Sequence, residues 1–213
     1  MIPRASNRRP YDLVKRATDV AGALVLLVLS APVQLVVALL VRIKLGSPVL
    51  FLQERPGRDG EIFTLRKFRT MLTVDESRGI VTDEQRLTQF GRTLRATSLD
   101  ELPALVNVVR GDMSIIGPRP LLVSYLERYS ATQARRHEVR PGITGLAQVN
   151  GRNDVDWARK LDLDVQYVDR RSFRLDASIL LRTVAVVVSR KGVSAEGHAS
   201  APEFTGTSDR DLP

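Results

Sequence analysis

The polar and apolar positions divide the chain near residue 45. Residues 20–41 form a 22-residue run whose only polar side chains are Ser30 and Gln34. Roughly 20 apolar residues carry a helix across a bilayer, so the run is long enough to be embedded in lipid. Pro32 stands near its middle. A proline removes one helix hydrogen bond and crowds the preceding turn, and in lipid the freed backbone groups need partners. Ser30 is placed to bond back to a carbonyl. The pattern predicts two short helices, 14–31 and 33–44. Beyond Gly46-Ser47-Pro48, residues 49–53 and 61–71 are rich in strand formers around a turn-like 55–60, which predicts a hairpin. Residues 83–94, with Leu87, Phe90 and Leu94 at helical spacing, read as a helix, as do 103–110 closed by Gly111, 121–138, 155–168 and 177–190. Residues 140–153, with Pro141-Gly142, Gly145 and Asn150-Gly151, read as a loop, and the chain from 200 onward as a frayed polar tail. The expected class is α+β and helix-dominated, with a small sheet and amphipathic helices lying on a membrane.

Charge changes the picture of the apolar run. Lys15 and Arg16 precede it and Arg42 and Lys44 follow it. A spanning helix keeps its positive flank on one side, so this arrangement predicts a re-entrant segment that enters and leaves by one face. A kinked span is the alternative, because prolines also occur in ordinary transmembrane helices. With Lys plus Arg at 32 and Asp plus Glu at 24, the net charge is +8. The basic cluster Arg4, Arg8, Arg9, Lys15 and Arg16 favours an anionic membrane surface by about 1 kcal/mol per charge. Nucleic acid is the other partner of basic chains, but the charge gathers beside the apolar run and no recognition motif accompanies it, so none is expected. The absence of Cys excludes disulfide and thiol chemistry, and two histidines, His137 and His198, argue against a histidine-rich metal site. A cleaved signal peptide is disfavoured by Leu29 at the −3 position, by Pro32 after the cut and by the apolar run resuming beyond it. The expected organisation is a basic tail (1–12), a re-entrant membrane helix (13–45), a catalytic domain (46–206) and a polar tail (207–213).

Four segments are candidates for chemistry. In the first, adjacent carboxylates Asp100 and Glu101 stand where a helix begins. Ser98-x-x-Glu101 fits a capping box, and acids stabilise a helix N-terminus. Pro103 fits the first turn best if Asp100 is the cap, less well if Ser98 is. The same backbone N–H groups attract phosphate, and an ionised Asp100 beside bound phosphate can act as nucleophile or magnesium ligand. In the second, Pro118 and Pro120 stiffen the backbone around Arg119, a fork for phosphate oxygens; the plain alternative is a solvated turn. In the third, Arg66, Lys67 and Arg69 surround Phe68, either to meet phosphate or to protect a strand edge. The fourth, 140–153, offers glycines with Gln148, Asn150, Arg152 and Asn153 as donors suited to a nucleotide or sugar, or is an ordinary polar loop. Trp157 reads as core or interface packing.

Together these segments resemble the monotopic phosphoglycosyl transferases, the bacterial sugar transferase family. The likeness runs from about Lys15 to Gly206. It is carried by Lys15-Arg16-x-x-Asp19, Gln53-x-Arg55-Pro-Gly57, Lys67-Phe-x-Thr-Met71, Ser98-Leu-Asp-Glu-Leu102, Asn107-Val-x-x-Gly-Asp-Met113, Gly117-Pro-Arg-Pro-Leu121 and Arg140-Pro-Gly-Ile-Thr-Gly145. The size matches the family's minimal catalytic form. Residues 148–153 and 192–197 look most like the subgroup that transfers phospho-N,N′-diacetylbacillosamine. One departure is Ala31-Pro32 where the family commonly has Ser-Pro, with Ser30 one place earlier; another is Arg-Lys-Gly at 190–192.

The resemblance implies a nucleophile, Asp100, with Glu101 as its partner in orienting a metal or accepting a proton. Asp100 would attack the β-phosphate of a UDP-sugar and release UMP. Polyprenyl phosphate, in the form of undecaprenyl phosphate, would then take the phosphosugar. It further implies Mg2+ at Asp100 with Glu101, and phosphate or substrate contacts from Arg95, Arg119, Lys67, Pro118, Gln148 and Arg152, with Ser30 and Pro32 at the membrane break. The enzyme would work on the cytoplasmic face of a bacterial inner membrane, with UDP-N,N′-diacetylbacillosamine as the expected donor. The rival readings are a UDP-sugar hydrolase on the same scaffold and a single-pass anchored basic binding protein.

Overall fold

The computed structural model describes residues 10–151, 155–189 and 203–206. It is helix-dominated α+β. Helix α1 (Pro10–Lys44) is long and apolar enough to cross a membrane. It runs through Pro32 as one helix, not as the expected pair. Two side-chain bonds accompany the passage: Ser30 Oγ donates to Leu26 O at 2.5 Å, and Gln34 Nε2 donates to Ser30 Oγ at 2.9 Å. This back-bonding places the two polar groups of the run along the turns that Pro32 disturbs.

Most of α1 is bare, but a narrow stripe is covered on both sides of Pro32. Ala23 packs with Leu65, Ala104 and Leu105, whereas Val37 and Val41 pack with Phe68 and Leu94. Leu102 touches both groups. The polar ends are tied to the same body. Asp19 accepts from Ser114 Oγ at 2.7 Å and from Ile115 N at 3.3 Å. At the far end, Arg69 Nη1 donates to Ser47 O at 3.1 Å and its Nη2 to Leu45 O.

Strands β1 (Leu50–Pro56) and β2 (Ile62–Phe68) form the expected hairpin, antiparallel with Gln53 opposite Leu65. The helix expected over 83–94 is two, α2 (Asp83–Arg86) and α3 (Gln89–Ala96). Thr82 and Thr88 each hold extended backbone and cap the helix that follows, so Thr88 restarts the chain instead of continuing it. Gly91 lets α3 meet the end of β2: a Cβ there would lie 1.9 Å from Thr70 O. A 3₁₀ turn, Leu99–Ala104, leads into α4 (Leu105–Arg110), which ends as expected at Gly111 in the left-handed region, φ 100°. The last carbonyls of α4 are capped from α1, since Arg16 donates to Val108 O at 2.6 Å and to Val109 O at 3.0 Å. Charge-assisted bonds of this kind contribute on the order of 2 kcal/mol.

Residues 121–138 do not form the long helix their periodicity predicts. They are a 3₁₀ turn, Val123–Arg128, a single turn α5 (Ala131–Ala134) and a second 3₁₀ turn, Arg135–Glu138. Ser130 closes a capping box with Gln133, and Tyr125 and Tyr129 leave the helical path to pack on Phe204. Residues 140–153 are not simply a loop either. They hold β4 (Gly142–Thr144), parallel to β3 (Ser114–Ile116), and the turn α6 (Leu146–Val149). The strand pair exists because glycines let two backbones touch: a Cβ on Gly142 would sit 2.1 Å from Gly117 N, and one on Gly145 2.1 Å from Gly117 O. Helices α7 (Trp157–Arg170) and α8 (Phe173–Ser189) complete the fold. The start of α8 is fastened to the start of α1 by Arg171 Nε on Asp12 Oδ1 at 2.9 Å and by Lys15 Nζ on Asp176 Oδ2 at 3.0 Å.

Candidate active site

The site grows from the turn Leu99–Ala104. Ser98, before it, has φ 56° and makes no side-chain cap bond, so the Ser98–Glu101 capping box is not formed. Glu101 turns instead to two cations: Lys67 Nζ and Arg119 Nη2 both donate to its Oε1, at 2.6 and 2.8 Å. Lys67 comes from the end of β2, and Arg119 from the loop that follows β3.

Arg119 is exposed between two buried prolines, Pro118 and Pro120. The flanking carbonyls are held as well. Pro118 O accepts Gly142 N at 2.9 Å, and Arg119 O accepts Arg136 Nη2 at 2.6 Å. Arg136 is itself buried in an ion pair with Asp164 at 2.7 Å. A guanidinium on so constrained a backbone loses little freedom when it grips phosphate.

Asp100, next to Glu101, is buried and makes no hydrogen bond or ion pair among the described residues. Burial raises its carboxyl to about 6; the Glu101 charge adds to the rise, and Lys67, Arg119 and Arg95 oppose it. For Glu101 burial also pushes upward, but Arg119 and Lys67 outweigh it and hold this carboxyl well below the usual range. The two neighbours are thereby separated in role: one is neutralised in place, the other is a buried carboxylate facing cations it does not touch. Arg95, in the last turn of α3, donates through Nε to Thr70 Oγ1 at 3.0 Å and acts on Asp100 through its charge.

Lys67, Arg95, Asp100, Glu101 and Arg119 thus converge. Gln148 lies on α6, its amide against Gly145 and near Gly117, at the root of the Arg119 loop. Both polar atoms of that amide are buried with no hydrogen-bond partner among the described residues, which marks a place for a polar ligand group. No hydrogen bond joins it to the carboxylates. Arg152 lies outside the described residues. Ser30 and Pro32 sit in α1, as above. Arg55, named above only within a motif, was given no role by the sequence. Its guanidinium is lowered to about 10 by burial and by the Arg119 charge, and its Nε is buried with no partner among the described residues. The signal was present: an arginine fixed by a following Pro56-Gly57, the same device as at Arg119.

No group of three or more His, Cys, Asp or Glu gathers among the described residues to hold a metal alone. Magnesium does not require one, since it binds through one or two carboxylates plus substrate phosphates. The unbonded Asp100 carboxylate fits that arrangement.

A family model described as bacterial sugar transferase matches residues 10–190. The chain is 50% identical over 198 residues to the uncharacterized sugar transferase EpsL of Bacillus subtilis, across 92% of this chain and 98% of that one. It is 41% identical to a UDP-glucose:undecaprenyl-phosphate glucose-1-phosphate transferase of Caulobacter vibrioides, across 86% of this chain and 71% of the relative. It is 39% identical to the galactosyl transferase CpsE of Streptococcus agalactiae, where the match spans 84% of this chain but only 43% of the relative.

The Asp100 environment makes a stability prediction with a definite sign. An exposed Asp releases its proton near pH 4, roughly, whereas the folded carboxyl holds it to about 6. Folding therefore binds a proton between these values, and stability falls as pH rises through that window. Above it, ionised Asp100 costs at most about 3 kcal/mol. Asp100→Asn should raise the thermal midpoint at pH 7.5, by up to roughly 3 kcal/mol in stability, and give no gain at pH 4. A loss of stability at pH 7.5 would return Asp100 to a plain capping role.

Proposed function

We propose that the chain, which belongs to the bacterial sugar transferase family, transfers a phosphosugar from a UDP-sugar to polyprenyl phosphate through a covalent intermediate on Asp100. The observation that supports this is the asymmetry of the carboxylates: Glu101 takes both direct cation bonds and Asp100 takes none. An Asp100 oxygen attacks the β-phosphorus of the UDP-sugar, the bond from that phosphorus to the bridging oxygen breaks, and UMP leaves. The acceptor's phosphate oxygen then attacks the aspartyl phosphorus. Asp100 is released as carboxylate, and polyprenyl diphosphosugar forms.

Lys67, Arg119 and Arg95 meet charge that moves onto the phosphate oxygens. Glu101, its basicity suppressed, positions Lys67 and Arg119 instead of accepting a proton. Asp100 together with the diphosphate oxygens would hold magnesium, which supplies neutralisation of the leaving group's charge. Arg55 adds positive charge beside Arg119.

The same domain grips α1 on both sides of Pro32 and at both charged ends. A re-entrant segment accounts for that, whereas a span would pull one set of contacts through the bilayer. A charged, soluble donor accords with a site on the cytoplasmic face of the inner membrane. Two of the three relatives named above carry glucose or galactosyl in their names, so UDP-glucose and UDP-galactose are the first donors to test. The bacillosamine reading rests on residues 148–153 and 192–197, of which 152–153 and all of 192–197 lie outside the described residues, and those names lend it no support.

Incubation with each donor and magnesium, without acceptor, should release one equivalent of UMP and add one phosphosugar to the intact mass. Asp100→Asn should do neither. Continuous UMP release would favour the hydrolase, and lipid product without an adduct would exclude the covalent route.

Topology is tested separately, because the chain has no native cysteine. Asn7→Cys and Glu61→Cys should be modified by an impermeant thiol reagent from the same side of the membrane. Labelling from opposite sides would establish a span.

A further inference from the structure

We infer that the cleft between α6, α7 and α8 is a second anion site, which holds the phosphate headgroup of an anionic membrane phospholipid. The cleft has a volume of about 470 Å³ and is lined by Arg159, Arg170, Arg174 and Arg182 over the buried Leu163 and Ile179. It shares no residue with the Asp100 cluster.

Helical register gathers these charges. Arg174, Ser178 and Arg182 follow one another at intervals of four along α8, while Arg159 and Arg170 stand three turns apart on the facing side of α7. Their compensation is incomplete. Arg159 pairs with Asp162 at 2.7 Å, and Arg182 reaches Asn150 Oδ1 at 3.5 Å. Arg170 and Arg174 are exposed and make no ion pair among the described residues. Converging guanidinium groups repel one another until an anion joins them, and their forks suit phosphate oxygens.

The setting selects a lipid as the source of that phosphate. Phe173, Leu180, Leu181 and Val184 form an exposed apolar row on α8 beside the arginine side. That row begins beside the first turn of α1, ahead of its apolar run, because the Tyr11 and Phe173 rings meet edge to face at 4.9 Å and Arg171 bonds Asp12. Lys15 and Arg16 stand in the same part of α1, just outside its apolar run, which sets the row and the flanking arginines at the headgroup layer. Charge complementarity there favours an anionic headgroup.

Native mass spectrometry of the full chain in detergent tests the site without calling on catalysis, so its outcome is independent of the transfer reaction. Wild type should retain phosphatidylglycerol in preference to phosphatidylcholine. The double variant Arg170→Ala, Arg174→Ala should lose phosphatidylglycerol occupancy roughly tenfold or more, with phosphatidylcholine occupancy unchanged, and Arg170→Lys, Arg174→Lys should keep most of it. Excess inorganic phosphate should not displace the lipid. Unchanged phosphatidylglycerol in the alanine variant, an equal fall in both lipids, or displacement by phosphate would each overturn the assignment.

Discussion

Two carboxylates on one turn, set over an apolar helix, cannot both be ionised without nearby positive charge. Asp100 and Glu101 meet that constraint unequally. Glu101 receives the direct bonds of Lys67 and Arg119, whereas Asp100 feels the same cations only at a distance. Environments that push neighbouring acids apart are the mark of divided chemical roles. Much of the fold serves this division. The hairpin delivers Lys67. The β3–β4 pair, possible only through Gly117, Gly142 and Gly145, delivers Arg119. Asn107, fully buried, ties α4 to the Lys67 strand: its amide donates to Thr64 O at 2.8 Å, and Arg66 N donates to its Oδ1 at 3.2 Å.

The membrane helix belongs to the same construction. Leu102, two residues beyond Asp100, packs into the clusters that hold α1 on either side of Pro32. Arg16, at the mouth of the apolar run, caps the helix that continues the Asp100 turn. One face of that turn is charged chemistry and the other rests on an apolar helix. Under the proposed function, this arrangement brings the Asp100 carboxylate level with the phosphate of the lipid acceptor.

Sequence legibility followed the range of the interactions. The hairpin, the stop at Gly111 and the stiff Arg119 depend on adjacent residues, and all were readable. The fate of Glu101 was not. Its spacing from Ser98 fits a capping box equally well, and the choice was made by Arg119, 18 residues later, and Lys67, 34 earlier. Strand β4 was hidden in a glycine-rich stretch because its partner is β3, far back in the chain. The break in 121–138 came from Ser130 and from tyrosines drawn to Phe204, 75 or more residues away. Pro32 was read as a break, whereas α1 runs through it as one helix, with Ser30 and Gln34 bonded along the same turns. Arg55 was visible in a motif but had no stated role until Arg119 came to lie beside it.

The most direct measurement is the position of the covalent bond. After reaction with the accepted UDP-sugar and quenching, peptide-level mass spectrometry should locate the phosphosugar on Asp100 and leave the adjacent Glu101 unmodified. A phosphosugar on Glu101, or a working enzyme that carries none at any point in its cycle, would contradict the division of roles between the two carboxylates.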